Sequence, residues 1–320
     1  MLAALQQRFS TWALRRQRYD SGTVTLTQRS IYILPTRQGL AFAFVLVLML
    51  LGDINYNLSL GYVLTFLLAT MGGMSMLHAF RNLAGLQVRA GHVEPVFAGD
   101  SAHFVFHVHN ASGLERHQIN LHDTQGHSTV FDAAAISHGE IALGIPAPQR
   151  GWLKPGRLTL YTHFPLGLFH AWSYLHFDTR CLVYPKPAPR IPLPAASADD
   201  GSGTQPVAGD DDFTGLRSYV AGDSLQRIAW KALAREQGLQ VKQYNAQQGH
   251  ELWLDWVQLP ALADERKLEL LTRWVLDAEA QGLRYGLRLP GIELPPTQGQ
   301  SQRAECLRAL ALYGGGEVQS

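Results

Sequence analysis

The sequence predicts a multi-domain chain in which an N-terminal transmembrane helical hairpin precedes an all-β sandwich and a small α/β domain. Three observations carry this expectation. Two apolar runs lie close together between Arg37 and Phe80, residues 86–185 alternate with a period of two, and residues 211–320 alternate strand and helix patterns. The boundaries read as a basic segment over 1–36, the hairpin over 37–85, the sandwich over 86–185, a linker over 186–210 and the α/β domain over 211–320.

The hairpin comes first. One apolar run is unbroken from Leu40 to Leu51, and a second extends from Leu58 to Phe80 without an Asp, Glu, Lys or Arg. A bilayer core of about 30 Å needs about 20 mostly apolar helical residues. The second run meets this, and the first reaches it by recruiting Gln38, Gly39, Gly52 and Ile54. The stretch from Gly52 to Asn57 is expected as the connecting loop. A buried helical pair in a soluble protein is the alternative, since about a dozen apolar residues also suit a core helix. Flanking charge argues against it. Arg8, Arg15, Arg16, Arg18, Arg29 and Arg37 precede the first run against a lone Asp20, Arg81 and Arg89 follow the second, and the loop carries Asp53 without a cation. The positive-inside rule then places both ends in the cytoplasm and the short loop outside, as a multi-pass protein of the plasma membrane. A cleaved signal peptide is not expected, because the first run starts far from Met1 and a second follows.

Composition narrows the function classes. A net charge of +1 gives no case for nucleic acid, and two cysteines, Cys181 and Cys306, are too few for a disulfide framework or a thiolate metal site. Both facts suit a domain facing a reducing compartment.

The sandwich is read from alternation. Between Ala102 and Asn110, Phe104, Phe106 and Val108 fall on one face and His103, His107 and His109 on the other, the pattern of a half-buried strand. Leu86 to Arg89, Arg157 to Thr162 and Ala171 to Phe177 are further strands, with turns at Gly99-Asp100, Asn110 to Gly113 and Pro155-Gly156. The segment from Lys186 to Gly209, rich in Pro, Ala, Ser, Gly and Asp without aromatics, reads as linker or surface loop.

The α/β reading rests on order. Leu225, Ile228, Ala229, Ala232 and Leu233 follow helical spacing, and Leu239 to Tyr244 and Glu251 to Trp256 read as strands. Asp264 to Ala280 is an amphipathic helix through Leu268, Leu271, Val275 and Leu276. A strand over Arg284 to Leu289 and a helix over Ser301 to Tyr313 follow.

The densest motif is Phe213 to Tyr244. Asp223 and Gln226 have capping-box spacing, and Arg227, Lys231 and Arg235 recur every fourth residue and share one helix face. Arg217 and Lys242 are expected near the same region. One reading is a site for an anion or an acidic partner; the other is a solvated face with ion pairs to Asp210, Asp211 or Asp212.

At these residues the chain resembles the bacterial domain of unknown function 58 family. The run Phe213-Thr-Gly-Leu-Arg217-Ser-Tyr219-Val-Ala-Gly222-Asp223-Ser-Leu-Gln-Arg227-Ile-Ala-Trp230-Lys231-Ala-Leu-Ala-Arg235, followed by Leu239-Gln-Val-Lys242-Gln-Tyr244, is similar to that family's signature. Phe164-Pro-Leu-Gly-Leu-Phe169 and Tyr184-Pro-Lys-Pro187 resemble segments that precede it. The resemblance implies a membrane protein whose C-terminal part is related to von Willebrand factor A domains. It also implies a MoxR-type AAA+ ATPase and a transglutaminase-like membrane protein as partners.

Metal-binding A domains carry an Asp-x-Ser-x-Ser run after their first strand, because a hard cation needs several oxygen ligands on one loop. Here Asp255-Trp256-Val257-Gln258-Leu259 keeps the aspartate and replaces both hydroxyls with carbon, and little chain follows Leu289. A truncated A-like domain without a metal is therefore expected. Eleven of the thirteen histidines fall between His92 and His176. Histidines alternating on a strand can bind Zn²⁺ if a fourth ligand approaches, but without Cys partners or an HExxH-type helix a polar outer face is the expected reading.

Nucleophilic catalysis has little support. There is no G-x-S-x-G elbow, Cys306 sits in an apolar helical pattern beside Leu307 and Leu310, and Gly314 to Gly316 follows a helix instead of opening one. The leading expectation is a non-enzymatic interaction or assembly factor at the inner membrane, without cofactor or small-molecule substrate. Its partner- or anion-binding candidates are Arg217, Tyr219, Asp223, Arg227, Lys231, Arg235, Lys242 and Asp255. The rival is a hydrolase of a phosphorylated or acidic substrate with Arg217, Asp223 and Arg227 as its polar centre.

Overall fold

A computed structural model describes residues 22–194, 213–218, 240–244 and 252–315, the two short middle stretches by their backbone. The chain divides into two compact units, Met1–Lys186 with Ala311–Ser320, and Pro187–Leu310. The described residues hold four helices and are otherwise mostly strand.

The first unit begins with two short strands, β1 (Thr23–Thr25) and β2 (Tyr32–Pro35), and the helices α1 (Arg37–Tyr56) and α2 (Ser59–Leu83). Thr36 caps α1, its hydroxyl accepting from the Gly39 N–H at 3.0 Å and so satisfying one of the first-turn donors. Asn57 ends the helix in the left-handed region at φ 50, a conformation asparagine tolerates. The connection is therefore tighter than the expected Gly52 to Asn57. The helical ladder runs through Gly52 and Asp53 to Tyr56, since a single glycine costs a helix only roughly 1 kcal/mol and does not by itself end it.

Asp53 is consequently a helix residue. It is buried, and its Oδ2 accepts from the Thr65 hydroxyl at 2.7 Å across the hairpin. Gly61 makes room for it, since a Cβ at that position would overlap the Asp53 carboxylate. Gly72 packs against the Phe42 ring in the same way, with a Cβ reaching 3.1 Å from it. Small residues thus let the two helices approach. Their remaining surface is apolar and open: only 11% of the α1 window and 17% of the α2 window is buried. Both helices are long and apolar enough to cross a membrane.

The sandwich follows. Its strands are β3 (Leu86–Ala90), β4 (Val96–Phe97), β5 (Ser101–Asn110), β6 (Arg116–His122), β7 (Ser128–Ala133), β8 (Ser137–Pro146), β9 (Gly151–Leu153), β10 (Arg157–Thr162), β11 (Phe169–His176) and β12 (Cys181–Tyr184). One sheet has the order β1-β3-β5-β8, another β2-β11-β10-β6-β7, and a small third sheet β4-β12-β9. Phe104, Phe106, Val108, Ile119, Leu121, Leu158, Leu160 and Leu175 share one buried core. In β5 the buried residues are Ala102, Phe104, Phe106, Val108 and Asn110, and His103, His107 and His109 fall at alternate positions, as period-two alternation requires.

The segment before the hairpin is more than a basic leader. From residue 22 onward it supplies an edge strand to each large sheet, with Val24 opposite Val88 and Tyr32 opposite Trp172. The hairpin is thus inserted between two strands of the sandwich. Strands of three and four residues are too short to announce themselves by periodicity.

In the second unit, β13 (Phe213–Ser218) and β14 (Gln240–Tyr244) form an antiparallel pair. A separate sheet has the order β15-β16-β17, with β15 (Leu252–Asp255) parallel to β16 (Tyr285–Leu289) and β17 (Ile292–Thr297) antiparallel to it. Helix α3 (Asp264–Ala280) makes the crossover between the parallel strands and buries Leu268, Leu271 and Val275. Helix α4 (Gln300–Leu312) closes the described chain. The start of the expected linker is strapped to α3, where Ala188 N–H donates to the Glu269 carbonyl at 3.1 Å and Trp274 Nε1 to Pro192 O at 3.1 Å. Residues 195–210 of that linker and the expected helix over Leu225 to Leu233 lie outside the described residues.

Candidate functional site

The sequence-derived site is only partly within view. Arg217 lies on β13 opposite Val241, and Lys242 on β14 opposite Leu216, so the backbone brings these two positions to adjacent rungs of one ribbon. Tyr219, Asp223, Arg227, Lys231 and Arg235 lie outside the described residues. Asp255 ends β15 opposite Arg288. Its Oδ1 accepts from the Val257 N–H at 2.9 Å, a local turn that an aspartate makes without any ligand. Arg288 is engaged elsewhere: Nε donates to Glu293 Oε1 at 3.0 Å, and the guanidinium lies 3.7 Å above the Trp253 ring.

Cysteine chemistry is suppressed. Cys306 is fully buried on α4, and burial, followed by the charge of Glu305, pushes its thiol up to about 12. Burial also raises the Cys181 thiol against a smaller opposing hydrogen bond at Val96. Thiolate, the nucleophilic form, is therefore negligible at neutral pH at both. A groove of about 480 Å³ in the second unit is lined by Arg190, Ile191, Pro192, Leu193 and Asp277. The Asp277 carboxylate is spent on Arg273, which donates through Nε at 2.9 Å and Nη2 at 2.5 Å.

Among the described residues, histidines meet at two places in the sandwich. On β5, His109 stacks on His138 of β8 with centroids 3.9 Å apart, and His107 lies 3.2 Å from Glu140 Oε1. On the other sheet, His170 Nδ1 and His163 Nε2 are 2.9 Å apart, one donating and the other accepting. Burial lowers both, and the neighbouring charges of His163 and His122 carry His170 down to about 4. Trp172 stacks on the His170 ring at 5.1 Å and Tyr161 packs against both histidines. Among the described residues, no three His, Cys, Asp or Glu side chains converge as a metal site requires.

The most constrained place in the first unit is the junction of helix and sheet. Asn82, in the last turn of α2, is buried. Its Nδ2 donates to His117 O at 2.7 Å and Thr162 Oγ1 at 3.0 Å, and its Oδ1 accepts from the His117 N–H at 3.0 Å. Ala79 and Leu83 on the same helix join the sandwich core. Arg116 donates through Nη2 to the Ala84 carbonyl at 3.0 Å just past the helix end. At the start of α1, Thr36 donates from its N–H to Leu168 O at 2.9 Å and from its hydroxyl to Gly167 O at 2.7 Å. Gly39 sits so close to this loop that a Cβ would overlap the Leu168 carbonyl oxygen. The helices are therefore continuous with the sandwich and not tethered to it.

Sequence reasoning missed this junction. Thr36 ahead of an apolar helical run was a readable capping signal; Asn82 carried none, because a polar residue near a helix end has many uses. Comparison with protein-family models, with curated proteins and with solved structures finds no match to this chain.

Proposed function

We propose that this chain is a two-span protein of the bacterial inner membrane that works without catalysis. Its N- and C-terminal segments face the cytoplasm, where the sandwich and a truncated A-like α/β domain are presented to a protein partner. The partner is the MoxR-type AAA+ ATPase that the family resemblance implies, alongside a transglutaminase-like membrane protein.

One observation carries the reading: two consecutive apolar helices of 20 and 25 residues, mostly unburied, are joined at Asn57 and Leu58. The arginines that flank them, Arg37 and Arg81 nearest, lie at the sandwich end, and none lies at the turn. Buried, protonated cysteines and an Asp277 committed to Arg273 are consistent with a role by contact.

Two measurements test it. The full chain is expected in the membrane fraction after alkaline extraction, and an Asn57→Cys variant is expected to react with a membrane-impermeant maleimide from outside intact spheroplasts. Background is low because Cys181 and Cys306 are buried. Release of the chain into the soluble fraction rejects the anchor, and labelling only after lysis rejects the orientation. Detergent-extracted protein is expected to retain the AAA+ ATPase, and Arg217→Ala with Arg227→Ala to weaken that retention. Unchanged retention removes this segment as the contact.

A further inference from the structure

We infer that the end of the sandwich from which the helices emerge is itself a lipid-binding surface, seated in the head-group layer of the membrane. This deepens the two-span reading and rests on it. Outside the helices and their turn, the first unit exposes five large hydrophobic side chains among the described residues: Leu34, Leu114, Val130, Ile136 and Leu166. Four of them lie at this one end.

The chain places them there. Leu34 is in β2, two residues before the Thr36 cap. Leu166 belongs to the loop whose Gly167 and Leu168 carbonyls hold Thr36. Leu114 and Ile136 flank the end of β5, where the Asn110 side chain donates to Leu114 O and Ala134 O at 2.8 Å and Ile136 N–H donates to Ser112 O at 3.0 Å. Asn110 is opposite Leu86, close behind the end of α2. Val130, the exception, pairs with Asn120 on the edge strand β7.

Geometry leaves this end no distance from the bilayer. A helix of 20 residues is about 30 Å long at about 1.5 Å per residue, which matches the hydrocarbon thickness of about 30 Å. Arg37, the first residue of α1, must then lie at head-group level. Thr36 is bonded directly to the 167–168 loop, so no spacer separates the sandwich from the lipid. α2 is five residues longer than α1 and spends its last turn in the sandwich core.

Ile136 adds an independent sign. It is 75% exposed and holds φ 46, a region costly for a β-branched residue and easy for Gly or Asn. An apolar side chain kept at a strained, solvent-facing tip fits a surface that is not solvent-facing in the membrane. Arg37 and Arg81, at the sandwich ends of α1 and α2, supply cations for lipid phosphates, and Tyr32 and Trp172 stand two rungs behind Leu34 with rings 5.6 Å apart, the aromatic type favoured at interfaces. Glu115, also at this end, lies 3.7 Å from His117 Nε2.

The test uses the full chain in vesicles of phosphatidylethanolamine and phosphatidylglycerol. An environment-sensitive fluorophore is attached in turn to Ile136→Cys, Leu166→Cys, Val130→Cys and Leu48→Cys variants, and quenching by lipids brominated at graded depths is recorded. The Ile136 and Leu166 sites are expected to be at least about two-fold more quenched than the Val130 site by the shallowest bromines, as residues at the head-group and acyl boundary are. The Leu48 site is expected to be quenched by the deepest. If Leu48 is quenched while Ile136 and Leu166 match Val130, the lipid-binding end is overturned and the membrane anchor stands. If Leu48 is not quenched either, the anchor itself fails and the inference with it.

Discussion

Asn82 Nδ2 donates to Thr162 Oγ1 at 3.0 Å, joining the last turn of an apolar helix to the end of a sandwich strand. Thr162 Oγ1 in turn accepts from the Phe164 N–H at 3.1 Å, so the contact continues into the loop that holds the start of the other helix. Asn82→Ala would remove the partner of the part-buried His117 N–H and C=O. It is expected to destabilise the sandwich by about 1–3 kcal/mol, read as an earlier urea midpoint of the detergent-solubilised chain by tryptophan fluorescence. An unchanged midpoint would show that the junction is incidental.

Gly39→Ala tests the other helix end. Alanine is the better helix former by about 0.8–1.0 kcal/mol, so propensity alone predicts stabilisation. The added Cβ would overlap the Leu168 carbonyl oxygen, which is backbone and cannot rotate away. Loss of about 1–3 kcal/mol is expected from such overpacking. A rise in the melting temperature would refute the packing argument.

Thr65→Val removes the hydroxyl that donates to Asp53 while keeping the volume. The buried Asp53 side chain loses its cross-helix partner, at a cost of about 1–3 kcal/mol. The companion Asp53→Asn, Thr65→Val pair is expected to recover part of the loss. Cysteine crosslinking between the helices provides the readout, with reduced crosslinking in Thr65→Val as the expected result.

The histidine pair sets an acid dependence. His163 and His170 lie below their ordinary value in the folded chain, His170 at about 4. As pH falls from about 6.5, the unfolded chain takes up protons first, so stability present at neutral pH is lost toward pH 4 and then levels. His170→Phe is expected to flatten the melting temperature between pH 6.5 and 4. Asp123 acts in a lower window. Burial pushes its carboxyl up, but the hydrogen bonds and charge of His127 and the Gln125 N–H outweigh that and hold it below the usual range. Its contribution is lost only as pH falls through that depressed value.

The sequence by itself determined the elements whose signal is local and periodic. The strand over Arg157–Thr162 and the helix over Asp264–Ala280 fall where alternation and helical spacing put them, and the apolar helices differ chiefly at their turn. Lys242 and Asp255 could be placed on strands from the same signals, though not given partners, whereas the strand that carries Arg217 was not read from the sequence. What tertiary structure alone decided is which distant pieces meet: β1 and β2 completing the two sheets across the inserted hairpin, Asn82 on His117 and Thr162, and His163 against His170. The physical reason is that a hydrogen bond between residues 80 apart leaves no period in the chain. Such contacts form only once the hydrophobic faces of helix and sheet have fixed where each backbone must lie.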